Sequence, residues 1–130
     1  MKIAILGYGK MGREIEKIAL SRGNDVVLTI GEDNLNDLTK ENLSKADVAI
    51  EFSTPDTAYD NIKLCFEANT PVVVGTTGWL DKMDLCIQQT ETGKGLFYAS
   101  NFSVGVNVFF EINKKLAALM SPYEDYKVEM

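Results

Sequence analysis

The chain of 130 residues contains no histidine. Histidine general acid–base catalysis and histidine-ligated metals are therefore excluded for the residues present. Cysteine is nearly absent as well: Cys65 and Cys86 stand alone, without the paired spacing of a metal site. Both lie in apolar, helix-like segments, which makes them buried free thiols and fits a reducing cytoplasm. Positive charge is scarce, with 13 Lys and Arg against 19 Asp and Glu and a net charge of -6. That balance argues against nucleic acid, whose phosphates demand a Lys/Arg surface. No apolar run approaches the ~20 residues of a membrane span. The opening Met1–Leu6 run has only strand length and no small-residue cleavage site, so no secretory signal is expected. Low-complexity tracts, repeats and linkers are missing too.

What remains is an alternation of strand-like and helix-like segments, the pattern of a parallel α/β sheet. The first strand is Lys2–Leu6. A helix follows over about Lys10 to Arg22, with Met11, Ile15, Ile18 and Ala19 spaced to share an inner face, and Gly23 ends it. Asp25–Ile30 is the second strand. The acidic stretch Gly31–Ser44 is a loop or short exposed helix, and Asp47–Phe52 is the third strand. Ser53-Thr54-Pro55-Asp56 caps a helix to about Ala68. A fourth strand (Pro71–Val74), a helix (about Leu80 to Thr90) and a fifth strand (Leu96–Ala99) follow. Ser103 is positioned to cap a long helix to about Met120, with Val108, Phe109, Ile112, Leu116 and Leu119 as its expected buried stripe. Asp125–Met130 reads as a sixth strand.

Between the first strand and the first helix runs GYGKMG, Gly7 to Gly12. Three glycines at this spacing, between a strand and an amphipathic helix, are the dinucleotide fingerprint. Gly7 permits the tight turn, Gly9 lets the backbone approach a pyrophosphate, and Gly12 lets helix and strand pack closely. Tyr8, Lys10 and Met11 complete the loop. The fingerprint also wants an acid about 20 residues on, for the adenosine ribose. Glu32 lies there, with Gly31 competing for the position and Asp33 beside it. No Lys or Arg follows in GEDNLND, where a 2′-phosphate would seek a counter-charge. This favours NADH, with NADPH admitted through Lys10, the only cation in the loop.

Ligands of open parallel sheets bind at the carboxyl ends of the strands. Four loops meet that description: Gly7–Gly12, Phe52-Ser53-Thr54-Pro55, Gly75-Thr76-Thr77-Gly78 and Ala99-Ser100-Asn101-Phe102-Ser103. They offer hydroxyls, an amide and aromatic faces for a nicotinamide ribose, and no general base. The expectation is binding without catalysis, with no catalytic residue and no metal in this chain.

Four blocks, GYGKMG, VAIEFSTP, VVVGTTGW and ASNFSVGVNVFF, together resemble the dihydrodipicolinate reductases of the diaminopimelate route to lysine. The resemblance runs through the chain in order, and its third and fourth blocks are its most specific part. It implies a Rossmann-like doubly wound domain over residues 1–130 that binds NADH or NADPH. It also implies that Gly7, Gly9, Lys10, Met11 and Gly12 cradle the pyrophosphate. Phe52 and Ser53 join the cofactor residues from the third strand end. Gly75, Thr76 and Thr77 lie at the nicotinamide end, with Ser100, Asn101, Phe102 and Ser103. The family's ribose acid aligns at or beside Gly31, so Glu32 is its stand-in. Ser100 stands where proline or alanine is common.

In the family, a YKVEM-like strand leads into a substrate domain. A His-His pair, a lysine and a Gly-Thr stretch there hold a cyclic dicarboxylated imine. The chain stops before that pair. It therefore reads as the cofactor half of a longer, homotetrameric cytoplasmic reductase, able to bind and unable to turn over alone. The cofactor domain of a homoserine, aspartate or sugar dehydrogenase shares GxGxMG and an FSxP-like turn but lacks GTTGW and NFSVGVN. A stand-alone dinucleotide-binding sensor is the non-enzymatic alternative.

Overall fold

The computed structural model describes residues 1–126, which form two units, Met1–Ser100 and Asn101 onward. In the first unit β1 (Lys2–Leu6), β2 (Asp25–Ile30), β3 (Val48–Glu51), β4 (Val72–Val74) and β5 (Leu96–Tyr98) make one parallel sheet in the order β2-β1-β3-β4-β5. The chain winds outward first to β2, then returns past β1 to β3 and continues to β4 and β5. The strand order thus reverses between β1 and β3, the place where open α/β sheets bind ligands.

Alternation along β1 divides the core. Ile3 and Ile5 face α1 (Lys10–Ser21), where Ala19 and Ile15 meet them with Val26, Val48 and Ile50. Ala4 and Leu6 face the opposite side, together with Ala49, Val72 and Val74. There they pack on Ala58, Ile62, Cys65 and Phe66 of α3 (Pro55–Glu67) and on Trp79 and Cys86, the latter in α4 (Met83–Thr90). Near-continuous apolar strands are what a parallel sheet covered on both faces requires. The acidic stretch after β2 becomes a 3₁₀ turn (Glu32–Asp37) and a one-turn helix, α2 (Lys40–Leu43). Leu43 is fully buried, so that short helix is pinned to the core rather than wholly exposed.

The apolar pattern misplaces two helical faces. On α1 the inner face is Gly12, Ile15 and Ala19, whereas Met11 and Ile18 are about half exposed. Gly12, where a Cβ would meet the Gly7 carbonyl and Ile5, takes the inner position at the start of the helix. The second unit contains α5 (Val104–Met120), capped as expected by Ser103, whose hydroxyl accepts the Val106 N–H at 3.4 Å. Its expected buried stripe is not buried: Val108, Phe109, Ile112, Leu116 and Leu119 are all exposed, from 52% to 70%. Periodicity reports that a helix has an apolar face and says nothing of what covers it. Of the expected sixth strand, Asp125 lies in a turn and Tyr126 follows it, neither in a strand, and Lys127–Met130 lie outside the described residues.

Both cysteines are buried and unpaired. Burial, and secondarily the charge of Glu51, pushes the Cys65 thiol from 9.0 up to about 12, and burial raises that of Cys86. The unfolded chain therefore releases the Cys65 proton near pH 9 while the native chain keeps it. Its contribution to stability is complete below that pH and is lost as pH rises toward about 12. Cys65→Ala should remove about 1.4 kcal/mol per pH unit from the slope of stability in this window. Urea unfolding of both proteins from pH 8 to 11 checks this, and parallel slopes would refute it.

Candidate functional site

At the end of β1 the chain turns sharply, and two consecutive amides, Gly7 N–H and Tyr8 N–H, donate to the Ile30 carbonyl at 2.9 and 2.8 Å. The turn is thereby tied to the end of β2. Gly7 has φ +97°, and a Cβ there would run into the Phe52 carbonyl at the end of β3. A Cβ on Gly12 would strike the Gly7 carbonyl. Both glycines are thus required by the fold itself. Gly9 is different: among the described residues a Cβ would meet nothing within 4 Å. No side chain caps α1 after Gly9, and its first turn carries no acid. Its leading N–H groups and positive end are what an anion seeks.

The end of β3 presents Phe52 and Ser53. Phe52 N–H donates to the Leu6 carbonyl at 2.7 Å and Gly75 N–H to the Glu51 carbonyl at 2.9 Å, so the ends of β1, β3 and β4 are locked together. The Phe52 ring lies where a Gly75 Cβ would be, which explains the glycine that opens the GTTG turn. The Ser53 hydroxyl turns inward. It donates to Glu51 Oε1, accepts Asn61 Nδ2 at 3.1 Å and contacts Thr57 Oγ1 at 2.9 Å. With its hydrogen-bonding capacity taken up, this side chain has little left for a ligand.

Glu51 anchors that network. It is fully buried, and its Oε1 also accepts the Ser53 N–H at 3.0 Å, while Oε2 has no hydrogen-bond partner among the described residues. Sequence reasoning passed over it. The signal was an acid in the apolar run VAIEF, on the inward parity shared with Ala49.

Thr76 is 6% exposed, and its hydroxyl is buried without a hydrogen-bond partner among the described residues. Its carbonyl accepts the indole N–H of Trp79 at 2.8 Å. Gly9, Lys10, Met11, Phe52, Ser53, Pro55, Gly75, Thr76 and Thr77 line one open groove of about 400 Å³. Three of the four expected loops therefore meet in space. From the fourth, Ser100 is the exposed last residue of the first unit. Asn101, Phe102 and Ser103 open the second unit, where Asn101 Oδ1 accepts the Ser103 N–H at 2.8 Å. Asn107 Nδ2 donates to the Asn101 and Ser103 carbonyls at 3.0 and 2.8 Å. A second depression of about 390 Å³, between α3 and α4, shares no residue with the strand-end loops.

At the end of β2, Asn34 folds the turn: its Oδ1 accepts the Gly31 N–H and its Nδ2 donates to the Thr29 carbonyl, both at 2.8 Å. Glu32 and Asp33 project from this turn, both exposed. Tyr8 passes beside Gly31, donates to Glu16 Oε2, and carries the Arg13 guanidinium 5.5 Å above its ring. The bond to Glu16 raises the phenol above its usual range. Lys10 is therefore not the only cation near the glycine turn. Arg13 is one helical turn away in sequence, and only the fold brings it onto Tyr8.

The comparisons with known proteins agree with this geometry. The family described as "Dihydrodipicolinate reductase, N-terminus" matches residues 1–102. The 4-hydroxy-tetrahydrodipicolinate reductase of Christiangramia forsetii is 46% identical over 138 aligned positions, covering 100% of this chain and 54% of that protein. The chain thus spans about half the length of the curated relative it matches. Among solved structures, a dipicolinate-bound dihydrodipicolinate reductase from Paenisporosarcina sp. TG-14 superimposes with a TM-score of 0.73. It is 26% identical, over 95% of this chain and 54% of that one. With a parallel doubly wound sheet, and with a family match whose span includes both the glycine turn and the GTTGW block, the chain belongs to the dihydrodipicolinate reductase family and corresponds to its amino-terminal part.

Proposed function

We propose that this chain is the NAD(P)H-binding part of a cytoplasmic 4-hydroxy-tetrahydrodipicolinate reductase and that it takes NADH in preference to NADPH. The observation that carries the reading is the single groove where the glycine turn, the Phe52 turn and the Gly75–Thr77 turn meet at the strand-order reversal. A nicotinamide dinucleotide fits what is there. The side of Gly9 that lacks any neighbour and the uncapped start of α1 suit a pyrophosphate. The exposed Thr77, on the wall of the same groove, suits the polar groups at the other end.

When bound, the dinucleotide supplies a hydride from its nicotinamide ring. The chain's own residues bind and orient. Gly7–Gly12 hold the phosphates, and Glu32 accepts hydrogen bonds from the adenosine ribose. Phe52 and Gly75–Thr77 wall the nicotinamide side. Ser53 contributes its backbone, since its hydroxyl is held by Glu51 and Asn61. Apart from Lys10, assigned to the phosphate turn, none of these groups is a proton donor suited to an imine or a cationic clamp for a dicarboxylate, so the chain by itself binds without turnover.

Glu32 and Asp33 would oppose a 2′-phosphate, against which Lys10 and Arg13 are a partial counterweight. NADH should bind about ten-fold more tightly than NADPH, the scale of one partly solvated like-charge contact. Titration with both dinucleotides, followed by their fluorescence, measures this. A tighter grip on NADPH overturns the preference, and no binding of either overturns the reading. Addition of 4-hydroxy-tetrahydrodipicolinate to the NADH complex should leave its 340 nm absorbance unchanged.

A further inference from the structure

Trp79 is the one tryptophan in the sequence and is 1% exposed. It fills the core on the α3 side of the sheet, edge-on to Tyr98 with ring centroids 5.6 Å apart. A phenylalanine or leucine would fill much of that space with no polar atom. The indole adds a buried N–H, which needs an acceptor, and it finds one in the Thr76 carbonyl at 2.8 Å. The chain reverses between the two residues at Gly78, φ +83°, where a Cβ would press on Pro55 at 3.3 Å. The loop is thus fixed at its start by Glu51 and Phe52 and at its end by Trp79.

We infer that Trp79 is a positioning residue for the nicotinamide end of the bound cofactor. By engaging the Thr76 carbonyl from the core side, its N–H sets the rotation of the Thr76 peptide. That rotation sets the course of the Thr76–Thr77 backbone, which lines the groove. The end of the cofactor affected follows from topology. The adenosine ribose belongs at the end of β2, so β4 and its loop lie on the far side of the β1/β3 reversal, at the nicotinamide half. The inference rests on the cofactor reading above and goes beyond it by separating the two halves of the ligand.

The test compares NADH with ADP-ribose, which has the same adenosine and pyrophosphate and no nicotinamide, by calorimetry. Two altered proteins are used. One is Trp79→Phe. The other has Trp79 replaced biosynthetically by β-(3-benzothienyl)alanine, which keeps the indole's shape with sulfur in place of N–H. Because the sequence has a single tryptophan, that replacement is site-specific. The benzothienyl protein keeps the core filled should Trp79→Phe fold poorly. Loss of one hydrogen bond's worth of positioning should weaken NADH about five-fold and leave ADP-ribose within about two-fold. Equal weakening of both ligands would reduce Trp79 to a core residue, and no weakening of either in the benzothienyl protein would remove the role altogether. Failure of the unaltered protein to bind either ligand would instead bring down the cofactor reading, and this inference with it.

Discussion

Gly7→Ala is expected to cost about 4 kcal/mol of stability, enough to lower the melting temperature by roughly 15 °C or to unfold the protein outright. Two independent penalties combine. The backbone at φ +97° is one that an L side chain adopts only with strain of about 1–2 kcal/mol. The new methyl group also points into the Phe52 carbonyl. That carbonyl cannot swing aside as a side chain would, because the Ser53 N–H of the same peptide donates to buried Glu51 Oε1 at 3.0 Å, and the Phe52 N–H donates to Leu6 at 2.7 Å. Relief requires parting the ends of β1 and β3, which weakens that bond and the paired amides on Ile30, at about 1 kcal/mol each. Urea unfolding measures the loss. A cost below about 1 kcal/mol would show that the turn is plastic and that its glycine has some other purpose.

The same turn shows how far a sequence can be read. GYGKMG declares itself because its constraints are local: a strand, a turn and a helix within twenty residues. The capping of α3 by Thr54 with Pro55 at its first position, and of α5 by Ser103, is legible for the same reason. What escapes is whatever depends on residues distant in the chain. Ser53 reads as a hydroxyl offered to a ligand. Glu51 and Asn61, which claim that hydroxyl, meet it only once α3 lies across β3. Arg13 and Glu16 look like surface residues of α1 until Tyr8 is seen beneath and beside them. The apolar stripe of α5 is present as read, yet its burial was an inference about an unseen partner surface, and in its own unit the stripe is exposed.

Such long-range constraints also explain why two of the three glycines in the fingerprint carry no functional information alone. Gly7 and Gly12 are demanded by Phe52 and by each other, so any chain folding this way would keep them, with or without a ligand. Functional evidence must come from the position for which the fold has no use. That position is Gly9.

Gly9→Ala should therefore leave folding nearly intact and abolish most of the binding. Its φ of -85° suits alanine, and the methyl group would meet nothing within 4 Å, so the change in stability should stay below about 1 kcal/mol. The space the methyl takes is the approach to the first N–H groups of α1. A pyrophosphate held there makes charge-assisted hydrogen bonds of about 1.5–3 kcal/mol each. Forcing it back by a methyl radius should forfeit about 3 kcal/mol, or roughly 100-fold in affinity. Because the pyrophosphate is common to NADH and ADP-ribose, both should weaken alike, in contrast to the selective loss expected at Trp79. If Gly9→Ala melts like the parent and binds NADH as tightly, the start of α1 is not the phosphate site. The groove would then need an occupant of different chemistry. If it binds neither ligand and still melts like the parent, the glycine that the fold does not need is the one that function does.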